Sequence, residues 1–266
     1  MNIHLFFILL FFASFTDMGV VNAASSDYTL NIFGNANMDS VIDDLDKDYL
    51  SDIISGSKEP TALADANSDG NIDREDIDQI EKIIKGEETE LTISDAQLRN
   101  ITLNVPVQSV AGVNVGSIEI MRAIGVDINE VVDIASSYAI ANKLYFPELH
   151  GKESNTYGSP NYEQIANIKP DLAILYESPK KDESFDKFDA IGVPVICLDC
   201  FDHRSLESDI RILGELFHEK EKADALVDWY RKKIDMVTER THGLDASEMP
   251  RVLILGYPDY TYPVLK

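Results

Sequence analysis

Cationic residues, tryptophan and cysteine are all scarce in this 266-residue chain. Lys and Arg total 23 against 47 Asp and Glu, a formal net charge of −24. So acidic a surface repels phosphates instead of releasing their counterions, which argues against nucleic acid and against anionic membranes. The two cysteines, Cys197 and Cys200, form one C-x-x-C in VICLDCFD. Two ligands make a poor zinc site and no thioredoxin-like helix follows, so the pair reads as a local disulfide in an oxidising compartment or as two inert thiols. Also missing are G-x-S-x-G, a P-loop, G-x-G-x-x-G and H-E-x-x-H, and the histidines lack metal-ligand spacing. The expectation is a binding protein and not an enzyme. Beyond the N-terminus no apolar run is long enough to cross a membrane.

At the N-terminus, Ile3 to Phe15 is almost wholly apolar and Val21-Asn22-Ala23 resembles a small-residue cleavage site. Residues 1–23 therefore read as an export signal, although the n-region has no Lys or Arg; the other reading is a retained anchor. The expected location is outside the cytoplasm: extracellular, periplasmic or at the cell surface. Asn100-Ile101-Thr102 is a glycosylation sequon, usable where the compartment offers that chemistry. Charge then divides the chain. Residues 24–90 carry a net −13, whereas residues 91–266 carry −10 over a much longer stretch. A domain boundary is expected near residue 90.

A repeat of period 30 occupies residues 31–90. Its second copy places Asp65, Asn67, Asp69, Asn71, Asp73 and Asp76 at positions 1, 3, 5, 7, 9 and 12 of a loop, with Gly70 at position 6. The first copy has Asn35, Asn37, Asp39, Val41, Asp43 and Asp46 there, with Ser40 in place of the glycine. A hard cation such as Ca²⁺ takes six to eight oxygens, and the alternation turns successive side chains inward around it. Two Ca²⁺ sites are expected, the second stronger because it has more carboxylates and the turn glycine. Each loop leads into a helical stretch, with Ile53, Ile54 and Gly56 matching Ile83, Ile84 and Gly86.

An ending in Asp at position 12 and a single helix after each loop resemble the dockerin family, over roughly residues 28–88. The resemblance implies a small, mostly α-helical calcium module that docks onto a cohesin-type domain. Positions 10 and 11, which help choose the partner in that family, are Asp44-Leu45 in one copy and Arg74-Glu75 in the other. The two helices thus present different faces.

From Leu91 the pattern becomes α/β. Leu91–Ser94 and Ile101–Val105 alternate around the Asp95–Asn100 turn, as in a hairpin. Apolar runs follow at Val131–Ala135, Leu172–Leu175, Val193–Leu198 and Arg251–Leu255, with helical stretches such as Ser117–Ile124 and Tyr162–Ile168 between them. This spacing predicts a parallel sheet with right-handed crossovers. Residues 206–240 repeat apolar positions at helical spacing. They read as one long helix, or two nearly continuous ones interrupted around His218–Lys222, acting as a strut.

The hairpin LTISDAQLRNITLNVPVQSVAG, the stretch GSPNYEQIANIKPDLAIL and KFDAIGVPVICLD resemble the substrate-binding proteins of ABC importers, in the class whose two α/β lobes are joined by a helical backbone. The resemblance implies a Rossmann-like first lobe over 91–202, a backbone helix over 203–242 and the start of a second lobe over 249–266, shorter than the class requires. It further implies capture of an iron-siderophore, haem or cobalamin-like corrinoid, a chelate or macrocycle, for delivery to an ABC permease. Ligands of open α/β sheets sit beyond the carboxyl ends of the strands. Tyr138, Tyr157 and Tyr176 fall there, with Asn114 and Ser117 at a helix start; Tyr257 would face them from the second lobe. Glu163 occupies the position of a glutamate that pairs with permease arginines in relatives. The rival expectation is a calcium-dependent surface assembly protein with a vestigial lobe.

Overall fold

The computed structural model describes residues 28–112, 114–134, 146–149, 152, 160–176, 182–245 and 247–248. The expected signal, the expected second-lobe strand and Tyr138, Tyr157 and Tyr257 lie outside them. Residues 26–231 pack as one compact unit, and residues 1–25 and 232–266 make up another. Of the latter, the described part is the end of a helix and the few residues after it.

Two helices, α1 (Asp44–Ile54) and α2 (Arg74–Lys85), come first. Each starts at a capping box in which the loop itself supplies both members: Asp43 with Asp46, and Asp73 with Asp76. Each box satisfies two backbone N–H groups of the first turn that have no helical partner. The hairpin of β1 (Glu90–Ser94) and β2 (Asn100–Asn104) pairs with Thr92 opposite Thr102. The sheet contains β3 (Val110–Gly112), β4 (Val131–Ile134), β5 (Leu172–Tyr176) and β6 (Val195–Leu198) in the order β4-β3-β5-β6, every pairing parallel. Helices α3 (Val115–Ala123), α4 (Tyr162–Ile168) and α5 (Asp182–Ile191) connect the strands, and α6 (Leu206–Leu216) and α7 (Lys220–Thr241) follow.

The sheet is covered on both faces, and its side chains alternate accordingly. Leu172, Ile174, Ile196 and Leu198 join the core that also contains α3 and α6, while Ala173, Leu175, Val195 and Cys197 join a second cluster with Ile165 of α4 and Phe188 of α5. The larger core does not stop at residue 90. It runs from Leu30, Ile32, Leu50 and Ile80 of the repeat through Leu91 and Ile93 to Leu213 and Val227. An Ile32–Ile93 bridge, with Phe33 N–H donating to Thr92 O and Ser94 N–H to Asn31 O, stitches the repeat to the hairpin. Composition changes near residue 90, but packing is continuous across it.

The strut takes the second of its two expected forms, two helices broken near His218, but they turn back on each other instead of running on. His218, at φ +53°, breaks it into two helices. The pairs Lys220–Glu215, Arg211–Asp224 and Arg231–Glu207 succeed one another away from this corner, the order of two antiparallel helices. Every residue from Ser208 to Leu216 is buried, charged ones included. Gly214 is what lets the helices meet, since a Cβ added there would lie 2.4 Å from the Cβ of Ala223. Gly214→Ala is expected to cost about 1–3 kcal/mol through overpacking, read as a lower denaturant midpoint with an unchanged slope.

Candidate functional site

The two loops of the repeat are built alike. In both, the position-12 carboxylate accepts from two backbone N–H groups: Asp46 from Asn37 at 3.1 Å and Asp43 at 2.9 Å, Asp76 from Asn67 at 3.1 Å and Asp73 at 2.8 Å. Position 5 likewise caps position 7, Asp39 accepting from Val41 N–H and Asp69 from Asn71 N–H. Position 4 is left-handed in both copies, at Met38 and Ser68. They differ at positions 1 and 6. Asp65 accepts from the N–H groups of Asp69 and Gly70, the latter at φ +91°. Asn35, wholly buried, accepts only from the Asp39 N–H and donates its amide to the carbonyls of Leu30 and Asp39.

Asp46 and Asp76 are fully buried. Burial pushes the Asp46 carboxyl up to about 6 despite the two N–H donors, and the nearby Asp39 and Asp43 charges add to it. Burial raises Asp76 too, with Asp65 contributing. Asp69, fully exposed, is held lower by the Asn71 N–H. Among the described residues no three His, Cys, Asp or Glu side chains gather into a ligand set.

The second place of interest is the carboxyl edge of the parallel sheet. From β3 the chain crosses to β4 on one side and later to β5 on the other, so the crevice between β3 and β5 is the topological switch point where ligands of such sheets bind. Tyr176 ends β5 with 47% exposure, beside Phe201 at 60%, their ring centroids 6.0 Å apart and tilted. Phe201 comes directly after the C-x-x-C at the end of β6. Its ring lies against the first turn of α3, where a Cβ on Gly116 would meet it at 2.9 Å.

Asn114 and Ser117, expected as ligand contacts, are structural. They are 2% and 0% exposed. Asn114 caps α3 by accepting from the N–H groups of Gly116 and Ser117, and its amide donates to Leu198 O at 2.7 Å; the Ser117 hydroxyl donates to Asn114 O. In this arrangement their polar atoms serve the helix start and the end of the sheet. Cys197 and Cys200 are both buried and are not joined in a disulfide. Burial holds the Cys200 thiol well above its usual range, Asp209 and Asp199 reinforcing the shift. Glu163 stands exposed in the first turn of α4, where the helix dipole favours it.

The family model described as periplasmic binding protein matches residues 110–265, covering this sheet, both its helical layers and the helix pair. The chain belongs to the periplasmic binding protein family. That is a family of solute-binding proteins, not of enzymes. Among solved structures the chain is similar to the molybdate periplasmic binding protein MolA of Haemophilus influenzae (TM-score 0.51, 17% identity), covering 59% of this chain and 55% of that one. It is also similar to the petrobactin-binding protein YclQ of Bacillus subtilis (TM-score 0.48, 19% identity, 58% and 55% covered). The iron uptake substrate-binding protein PiuA of Streptococcus pneumoniae is another such structure (TM-score 0.46, 23% identity, 59% and 55% covered). This chain spans about half the length of these structures. No curated protein matches it. Among the described residues no helix is long and apolar enough to cross a membrane.

Proposed function

We propose that this protein is the exported solute-binding component of an ABC importer, that it captures a flat or bulky chelate of the iron-siderophore, haem or corrinoid kind, and that its N-terminal repeat is a calcium-loaded, dockerin-like module. The exposed Tyr176–Phe201 pair carries the solute reading. Two large rings left half in water at the switch point of a parallel sheet offer rigid apolar area with one polar tip, which suits a macrocycle or aryl chelate better than a small oxyanion. Phe201 is the residue sequence reasoning missed. A bulky aromatic directly after a buried strand is the signal that could have found it.

The calcium reading rests on fit. Asp46 and Asp76 are wholly buried acids, and buried carboxylates need a positive partner. Asp65, Asn67, Asp69, the Asn71 carbonyl, Asp73 and Asp76 would hold the ion in the second loop. Asn35, Asn37, Asp39, the Val41 carbonyl, Asp43 and Asp46 would hold it in the first. The ion supplies charge compensation and fixes the loops; the residues supply the geometry. Glu163, exposed on α4, is the proposed contact to arginines of a permease, giving register and encounter rate.

Titration with haem, a ferric siderophore and a corrinoid, followed by tyrosine and Trp229 fluorescence, tests the solute reading. Saturable quenching by one of them is expected, and Tyr176→Ala with Phe201→Ala should weaken it at least about tenfold, the loss of roughly one to two kcal/mol of ring contact. The second reading is calcium-dependent docking to a cohesin-type partner. It has Leu45 on its side, 59% exposed at position 11 of the first loop.

A further inference from the structure

Most buried polar side-chain atoms find a hydrogen-bond partner. Glu88 and His218 do not. Both Glu88 carboxylate oxygens and His218 Nε2 are buried without a hydrogen bond, yet Nε2 lies 3.2 Å from Glu88 Oε1. Glu88 closes the calcium-loop repeat just beyond α2, and His218 forms the corner between α6 and α7. Residues after β2 clamp both segments: Val105 N–H donates to Thr89 O and Val107 N–H to Leu216 O. Two titratable groups from segments about 130 residues apart thus meet at a corner where Glu88 is buried and the His218 side chain is 25% exposed, at a residue held in the left-handed conformation.

We propose that Glu88 and His218 share a single proton and form a proton-operated latch that holds the end of the repeat on the α6–α7 corner. With one proton between them the pair is either a neutral acid beside a neutral imidazole or an ion pair, and both are compensated. With none, a carboxylate stays buried without a partner. With two, an imidazolium does. The surroundings are consistent with this. Glu215 of α6 faces Glu88 and disfavours its anion; Lys220 of α7 favours it but is already held by Glu215 at 2.9 Å and lies 3.8 Å from Asp224. Asp224 is in turn paired with Arg211. Burial pushes Glu88 up to about 7 and pushes His218 down.

The sign follows from proton counts. In the opened corner the imidazole is neutral above about 6.5 and the carboxyl ionised above about 4.3, so at pH 8 the open form binds no proton. The closed form keeps its proton up to about 7. Between about 6.5 and about 7 only the closed form keeps the proton, so the latch weakens as pH rises through that window. Below about 4.3 the open form binds two protons against one, and the latch weakens there as well. The alkaline weakening is therefore small, about a few-fold at most in corner opening between pH 6 and pH 8.

Amide exchange of the full chain at pH 6 and pH 8, corrected for intrinsic rates, reads opening of residues 87–89 and 216–220. The wild type should open more at pH 8, by up to a few-fold, and Glu88→Gln, which keeps shape and removes the charge, should abolish the difference. An unchanged difference in Glu88→Gln would overturn the latch. Should that variant not fold, an NMR titration of His218 in the wild type decides. Displacement from about 6.5, in step with a carboxyl transition, supports the latch, while an independent titration at that value contradicts it.

Discussion

Chelating calcium should lower the melting temperature of the entire compact unit by about 5–10 °C, as one transition. Saturation to about a hundredfold over Kd stabilises a folded form by roughly 2.7 kcal/mol, and a domain of this size shifts about 2–4 °C per kcal/mol. A single transition is expected because the core is continuous from Leu30 through Ile93 to Val227, so the repeat cannot melt without opening the sheet side of the molecule. Asp65→Ala with Asp76→Ala should remove most of the shift, since these acids sit at both ends of the loop with more carboxylates. The same pair of positions in the first loop, Asn35→Ala with Asp46→Ala, should remove less. Calorimetry with calcium and with chelator checks this. Two separate transitions, only one of them calcium-sensitive, would mean that the repeat is an independent module.

Arg211→Met should be the most damaging single change on the surface between the repeat and α6. Its guanidinium donates to Ser40 O and the Tyr28 hydroxyl, each at 2.7 Å, and to Asp224 at 2.8 Å, from a side chain only 9% exposed. Ser40 is position 6 of the first loop, so this one cation ties that loop to the helix pair. Methionine keeps the packing volume and leaves the loop carbonyl and the phenol unpaired. Hydrogen bonds to charged groups are worth about 1.5–3 kcal/mol. With several lost at once from a buried guanidinium whose partners, Asp224 among them, are themselves part-exposed, about 2–3 kcal/mol is expected. Urea unfolding at pH 7 measures it. A loss below about 1 kcal/mol would show that the loop is held by the apolar core alone.

Much of this architecture is legible in the amino-acid order, where the chain repeats or alternates. The hairpin, the run from Tyr162 through Leu175 and the two capped loops all appear where periodicity puts them, because each is specified by neighbours along the chain. What was not legible depends on contacts between distant segments. Glu207, Asp209, Arg211 and Glu215 read as the wet face of an amphipathic strut, because charged residues are almost never fully buried unless paired. Here each is less than a tenth exposed, with Glu207, Arg211 and Glu215 paired to α7 and Asp209 accepting the Cys200 N–H. Asn114 and Ser117 illustrate a second limit. A polar residue at a helix start looks the same in sequence whether it caps the helix or greets a ligand, and only burial separates the two. The charge step at residue 90 misleads for a related reason. It reflects the acidic loops of the repeat, while Ile32 and Ile93, which join the two segments, carry no charge.

Equilibrium binding of haem, a ferric siderophore and a corrinoid to the calcium-loaded protein and to its Tyr176→Ala, Phe201→Ala double variant decides between solute capture and docking. Saturable binding of at least one by the wild type is expected, weakened at least about tenfold in the variant while the calcium-dependent melting shift stays intact. Binding that the double variant retains in full, or no binding by any of the three with the calcium shift present, would contradict solute capture at this edge and leave calcium-dependent docking as the function.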